Sequence, residues 1–351
     1  MYSDPGELAL GFRARSNYQG WIDRSEAGFA TSIGKPDDRG PAAEPGAWRN
    51  LWFSVENPTL WRSKPLNGVK LAAWHVDDAV RVDLSKTWDV SRFLVSPRAT
   101  RTLGITAIKT DGLTYLDPAQ WDDVGTYEIS LREERIRPMW SDSARLRATA
   151  FVGWAAGQDT DEAYLRGEVE ARWRKLTPNR RWSLATRGFL AAVSSSAPRQ
   201  RQFRLSAQDP VSTFANHFLR PAGSPLARPS TRYTSLGGGA LRGYDPRVAA
   251  SGIASLNIEG SRRLVASDNT PQALVLWLNA FVDIAEVDGP GLKALGDAGV
   301  GLAVRGMLFD RPIAVRFDVP LYLSREDLAI DGQRDEKNVG FRWTFSFTDL
   351  W

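Results

Sequence analysis

The feature that most constrains this chain is a two-residue alternation of apolar and polar side chains that recurs from one end to the other, with little helical periodicity. Phe341, Trp343, Phe345 and Phe347 alternate with Arg342, Thr344, Ser346 and Thr348. Just upstream, Val315, Phe317, Val319, Leu321 and Leu323 alternate with Arg316, Asp318, Pro320 and Tyr322. Strands are expected over 7–15, 27–34, 49–57, 69–76, 80–88, 101–109, 126–133, 182–193, 201–207, 252–264, 273–287 and 300–307 as well. Turns rich in Gly, Pro, Asp and Asn lie between them.

Successive strand side chains point to opposite faces, so each run presents one apolar and one polar face. On some runs the polar face is charged. Glu168, Glu170, Arg172 and Arg174 alternate with Val169, Ala171 and Trp173, and Arg145 and Arg147 flank Leu146. A dry core would penalise these charges heavily, whereas water or ion pairing relieves them. Two architectures meet that demand. One is a soluble sandwich with a solvated face; the other is a membrane barrel with a wet lumen. No apolar run approaches the ~20 residues of a spanning helix, but a barrel strand needs only about 9–11 of alternating character.

Composition narrows the chemistry. There is no Cys, which excludes a disulfide, a thiol nucleophile and a Cys-based metal site. Net charge is +4, with both signs interspersed, so no basic stripe for nucleic acid is present. The two histidines, His75 and His217, stand outside any HExxH, and no GxSxG elbow occurs. Gly237, Gly238 and Gly239 are not followed by the Gly-Lys-Ser/Thr of a phosphate loop. The expectation is a chain without catalytic constellation, cofactor or metal. The 14 Trp and 15 Phe fit interfacial girdles, with Trp52, Trp61, Trp74, Trp88, Trp121, Trp140 and Trp154 near expected strand ends.

The specific signal lies in the longest stretch without strand character, about 209–248. It contains Gly237-Gly238-Gly239-Ala240-Leu241-Arg242-Gly243-Tyr244. Leu241, Arg242, Gly243 and Tyr244 resemble the (V/I)RG(F/Y) loop motif of the outer-membrane assembly superfamily. BamA, TamA and the two-partner-secretion transporters belong to it (the bacterial surface antigen family). A lone arginine inside a lumen needs a carboxylate, and flanking glycines let the backbone turn sharply.

Further features follow in the family's order. Phe281-Val282-Asp283 resembles its FxDxG strand, with Ala285 where Gly is usual, and Asp283 is the implied partner of Arg242. Gly296-Asp297-Ala298-Gly299-Val300-Gly301-Leu302 resembles a small-residue strand start, and 313–323 the penultimate strand. The terminus resembles the β-signal read during insertion: Asn338, Gly340, Trp343 and Phe345 occupy its places, and the chain stops at Trp351.

The resemblance implies an all-β, membrane-spanning antiparallel barrel in the bacterial outer membrane. A strand with its connection takes about 22 residues here, which suits roughly 16 strands in one domain over 1–351. Met1 to Asp4 leads straight into the first expected strand with no signal peptide, so periplasmic domains are expected upstream. The implied partners are outer-membrane lipids and unfolded outer-membrane or secreted polypeptides, and the implied mechanism a weak seam between first and last strands. A different reading makes the barrel the anchor or exporter of an upstream enzyme, a zinc aminopeptidase or a patatin-like lipase.

Overall fold

A computed structural model of the chain describes residues 2–3, 7–17, 24–32, 49–57, 68–76, 79–90, 98–110, 118–138, 142–157, 161–213, 219–220, 233–234, 236–266, 274–289, 291, 293–308, 311–330 and 338–346. Fifteen strands among these residues form one sheet in which each strand pairs antiparallel with the next. They are β1 (Glu7–Asn17), β2 (Arg24–Ser32), β3 (Arg49–Asn57), β4 (Gly68–Val76), β5 (Ala79–Asp89), β6 (Arg98–Lys109), β7 (Val124–Pro138) and β8 (Asp142–Gly157). The series continues with β9 (Asp161–Leu176), β10 (Trp182–Val193), β11 (Gly252–Ala266), β12 (Val275–Asp288), β13 (Ala294–Leu308), β14 (Arg311–Leu323) and β15 (Thr344–Ser346). Neighbour pairing throughout is the topology of an up-and-down membrane barrel.

At the two ends of the series, Tyr2–Ser3 pairs antiparallel with β1 and parallel with Leu219–Arg220. Tyr233–Thr234 pairs parallel with Phe345–Ser346 of β15. The stretch between β10 and β11 therefore pairs with Tyr2–Ser3, the segment beside β1, and with the last strand.

Burial runs opposite to that of a soluble protein. Exposed side chains include Phe12, Leu51, Ile105, Ile129, Leu131, Val152, Leu190, Val282 and Phe341. Buried ones include Glu128, Arg166, Glu170, Arg187, Glu259, Asp283 and Arg316. On β7 the alternation is strict: Tyr127, Ile129 and Leu131 face out while Thr126 and Glu128 face in. An apolar exterior round a charged interior suits hydrocarbon outside and water or ion pairs inside.

Three details depart from the sequence reading. The run 201–207 is no wall strand: only Phe203–Arg204 is extended, paired with Ala249–Ala250 inside the barrel. The tryptophans divide. Trp88 and Trp154 are exposed, but Trp52 and Trp121 are buried, and Trp74 faces Trp52 on the inner side, where Arg81 lies 5.0 Å over its ring. Trp61 and Trp140 lie outside the described residues. On β14 the register shifts where Ala298 and Gly299 face Tyr322 and Pro320, leaving Leu321 as an extra residue. Proline, which lacks an N–H, is tolerated at such a bulge. The bulge reverses the phase, so Leu321 and Tyr322 face out and Leu323, expected among the outward residues, is buried inside.

The apolar core sits near one end of the lumen. Residues of the 194–251 excursion, Phe203, Leu205, Leu241 and Tyr244, pack against Phe189, Ile253, Val287, Leu295 and Leu323 from the strand ends. These residues of the excursion thus fold inward against the wall rather than standing out in solvent.

Candidate functional site

The loop tip is shaped by its glycines. Gly238 adopts φ +54, a left-handed conformation that side chains disfavour, and Ala240 does so at φ +53. A Cβ on Gly238 would also overlap the carbonyl oxygen of Arg204, and one on Gly243 the side chain of Leu323. The Gly239 N–H donates to Arg204 O at 3.0 Å and the Leu241 N–H to Leu205 O at 2.9 Å. This close packing presses Leu241 into the core and turns Arg242 toward the wall.

Arg242 is buried among carboxylates from three strands. Its Nη1 donates to Glu259 Oε2 on β11 at 2.9 Å, its Nε lies 3.1 Å from Asp283 Oδ2 on β12, and Asp318 on β14 is 3.8 Å away. The guanidinium also lies 4.0 Å from the ring centroid of Phe281, a cation–π geometry. Two further arginines share the same acids. Arg316 Nη2 donates to Glu259 at 2.7 Å and to Asp318 at 3.0 Å, and Arg305 donates to Glu259 at 3.0 Å. Glu259 therefore gathers three guanidiniums.

Neighbouring contacts fix the tip. Asn257 Nδ2 donates to the carbonyls of Gly239 and Ala240 at 3.2 Å each, and to Asp283 Oδ1 at 3.1 Å. Arg187 Nη2 donates to Gly238 O at 2.9 Å. The Gly243 N–H donates to Asp297 Oδ2 at 3.2 Å, and Tyr244 Oη donates to Gly296 O at 2.9 Å.

The structure thus brings Arg242 and Asp283 together, along with Gly243, Tyr244 and the small-residue start of β13. The resemblance named Asp283 alone as partner. Glu259, Arg316, Asp318 and Asn257 carry no local motif and are collected only by strand register. A charge on the polar phase of the strand alternation, as at Glu259, Arg316 and Asp318, is the one signal that could have found them, and Asn257 has none.

The residues matching the β-signal lie apart from this network. Asn338 O accepts the Leu323 N–H at 2.9 Å, and the Gly340 N–H donates to Leu321 O at 3.0 Å. Trp343 stacks on Phe317 with centroids 5.9 Å apart, and Phe345 faces Phe317 across the strand pair. Phe341 is 73% exposed on the outer face. Trp351 and Phe347 lie outside the described residues.

An antiparallel barrel with an arginine loop folded inward is the architecture of this chain, and solved structures match its fold. The chain matches CdiB from Escherichia coli at a TM-score of 0.54 and 11% identity, over 98% of this chain and 60% of that one. It matches BamA from Haemophilus ducreyi lacking POTRA domains 1-3 at 0.50 and 13% identity, over 98% of this chain and 68% of that one. No protein-family model and no curated protein sequence matches the chain. The fold is the antiparallel barrel fold that the chain shares with CdiB and BamA, and the chain spans 60% of the CdiB chain's length.

Proposed function

We propose that this chain is an outer-membrane barrel that inserts or secretes polypeptides, with the loop at Arg242 as the latch holding its working state. The observation that carries the reading is the burial of Arg242 in the lumen between Glu259 and Asp283, with both carboxylates fully buried. Burying a guanidinium and its acids is expensive unless the geometry is good, and such groups serve specificity or switching better than stability. A passive pore has no need of an inward loop locked in this way. The resemblance of 338–345 to an insertion signal, leading into the last antiparallel strand, fits a partner that would pair with that strand in place of Tyr233–Thr234. In this reading the seam between first and last strands is where a polypeptide enters the membrane.

The test compares outer-membrane and secreted protein fractions from cells with and without the gene, and with Arg242→Ala. Loss of particular proteins from one fraction, reproduced by the variant, is the expected result. Unchanged fractions in the deletion strain would refute the proposal.

A further inference from the structure

The inward residues that meet the loop belong to a single row across the wall. In register, Arg145 on β8 faces Arg172 on β9, which faces Arg187 on β10. Arg187 faces Asn257 on β11, which faces Asp283 on β12, which faces Asp297 on β13. The row therefore runs from three cations through an amide to two carboxylates. Like charges directly opposite across strands are destabilising, so both ends need outside charge. The acidic end receives it from Arg242.

The basic end is less well matched. A cavity of about 300 Å³ opens there, lined by eight arginines and four carboxylates. Arg81 is matched by Asp83 at 3.2 Å, and Arg166 and Arg201 are held by Asp209, with Glu128 also on Arg201. Glu168 also pairs with Arg166, at 3.4 Å, and Arg204 donates to Gln120 and the Arg247 carbonyl. Glu170 is shared by Arg147 at 3.2 Å, Arg172 at 2.9 Å and Arg187 at 2.7 Å. Arg132, on the inner face of β7, makes no ion pair with any described residue and is exposed to the lumen. Nε of Arg147 donates to no described acceptor.

We propose that this arginine wall, from Arg132 on β7 to Arg187 on β10, binds acidic polypeptide segments inside the lumen. A cleft with an excess of one sign of charge, here eight arginines against four carboxylates, focuses its field and concentrates counter-ions. Guanidinium forks suit carboxylates, which they can hold through two parallel hydrogen bonds. Arg132 and the three arginines that share Glu170 are spread over four strands rather than gathered in a cup, which suits a string of carboxylates better than one small anion. Naming a polypeptide as the ligand rests on the proposed function; the anion site itself does not.

The test is fluorescence anisotropy of labelled hexaglutamate with the full chain folded in detergent micelles. The wild type is compared with R132Q/R147Q and with R135Q, whose side chain is on the outer face. Arg132 has no ion pair with a described residue to lose, and Glu170 keeps Arg172 and Arg187, so the double variant retains its fold, checked by faster gel migration before boiling than after. Binding weakened about ten-fold or more in R132Q/R147Q and unchanged in R135Q is expected. Equal affinity in all three folded proteins overturns the proposal, as does pyrophosphate displacing hexaglutamate at equal or lower concentration. Hexaglutamate binding that persists where the gene deletion changes no protein fraction would leave the anion site standing and remove the transport reading alone.

Discussion

At the scale of single residues, Arg242 is the side chain on which most of the lumen network converges. Removing it leaves Asp283 buried opposite Asp297, with Asn257 Nδ2 still donating to it, while Glu259 keeps Arg305 and Arg316. Breaking a buried pair by deleting one partner costs about 3–5 kcal/mol. Arg242→Ala should therefore lower the urea midpoint of the folded barrel by an amount in that range once converted through the unfolding slope. Arg242→Lys keeps the charge but not the fork that reaches Glu259 and Asp283 together, so it should recover only part of that loss. Full recovery by lysine would show that charge alone holds the loop. Glycine matters here through space as much as through φ: the loop backbone at Gly243 lies against Leu323, where no Cβ fits.

At the scale of the strand, alternation assigns each position to lipid or lumen. Ile129 and Ser130 are adjacent on β7, the first 54% exposed on the outer face and the second lining the lumen cavity. A cation on the lipid face near the bilayer midplane costs about 2–4 kcal/mol, while lumen positions tolerate charge. Ile129→Lys should destabilise the barrel in lipid bilayers by that order, and Ser130→Lys by much less. Equal effects on urea unfolding in vesicles would mean that Ile129 does not face lipid. Bulges modify the rule locally. On β14 one extra residue moves Leu323 from the expected outer face into the core beside Leu241 and Tyr244, and no periodicity in the sequence marks that change.

At the scale of the whole molecule, the chain is a barrel whose apolar surface is its outside and whose interior carries ion pairs and an inward loop. Such a chain, refolded from urea into detergent or short-chain lipid, should give a β-type circular dichroism spectrum. It should also migrate faster on a gel unheated than boiled. Failure to fold without added lipid or detergent fits the same picture, because nothing else covers the ring of Leu, Ile, Val and Phe on the exterior. Folding to a compact monomer in plain buffer would contradict a membrane-spanning barrel.

Much of this was legible in the residues themselves. The two-residue period set the strands and their two faces, because pleated backbone sends neighbours to opposite sides whatever the partners are. Charges of both signs on one face called for water or ion pairing, and the Leu241–Tyr244 motif with Asp283 marked the loop and one acid. What the tertiary structure alone decided was which inward charges meet. Glu259 and Arg316, 57 positions apart in sequence, come from two strands, with Asp318 beside Arg316, and the row from Arg145 to Asp297 exists only because six strands are aligned in register. Alternation tells a side chain which face it occupies but not its height along the barrel. Height is fixed by hydrogen-bond register between strands and by bulges such as that on β14, and ion pairs form only between charges at the same height.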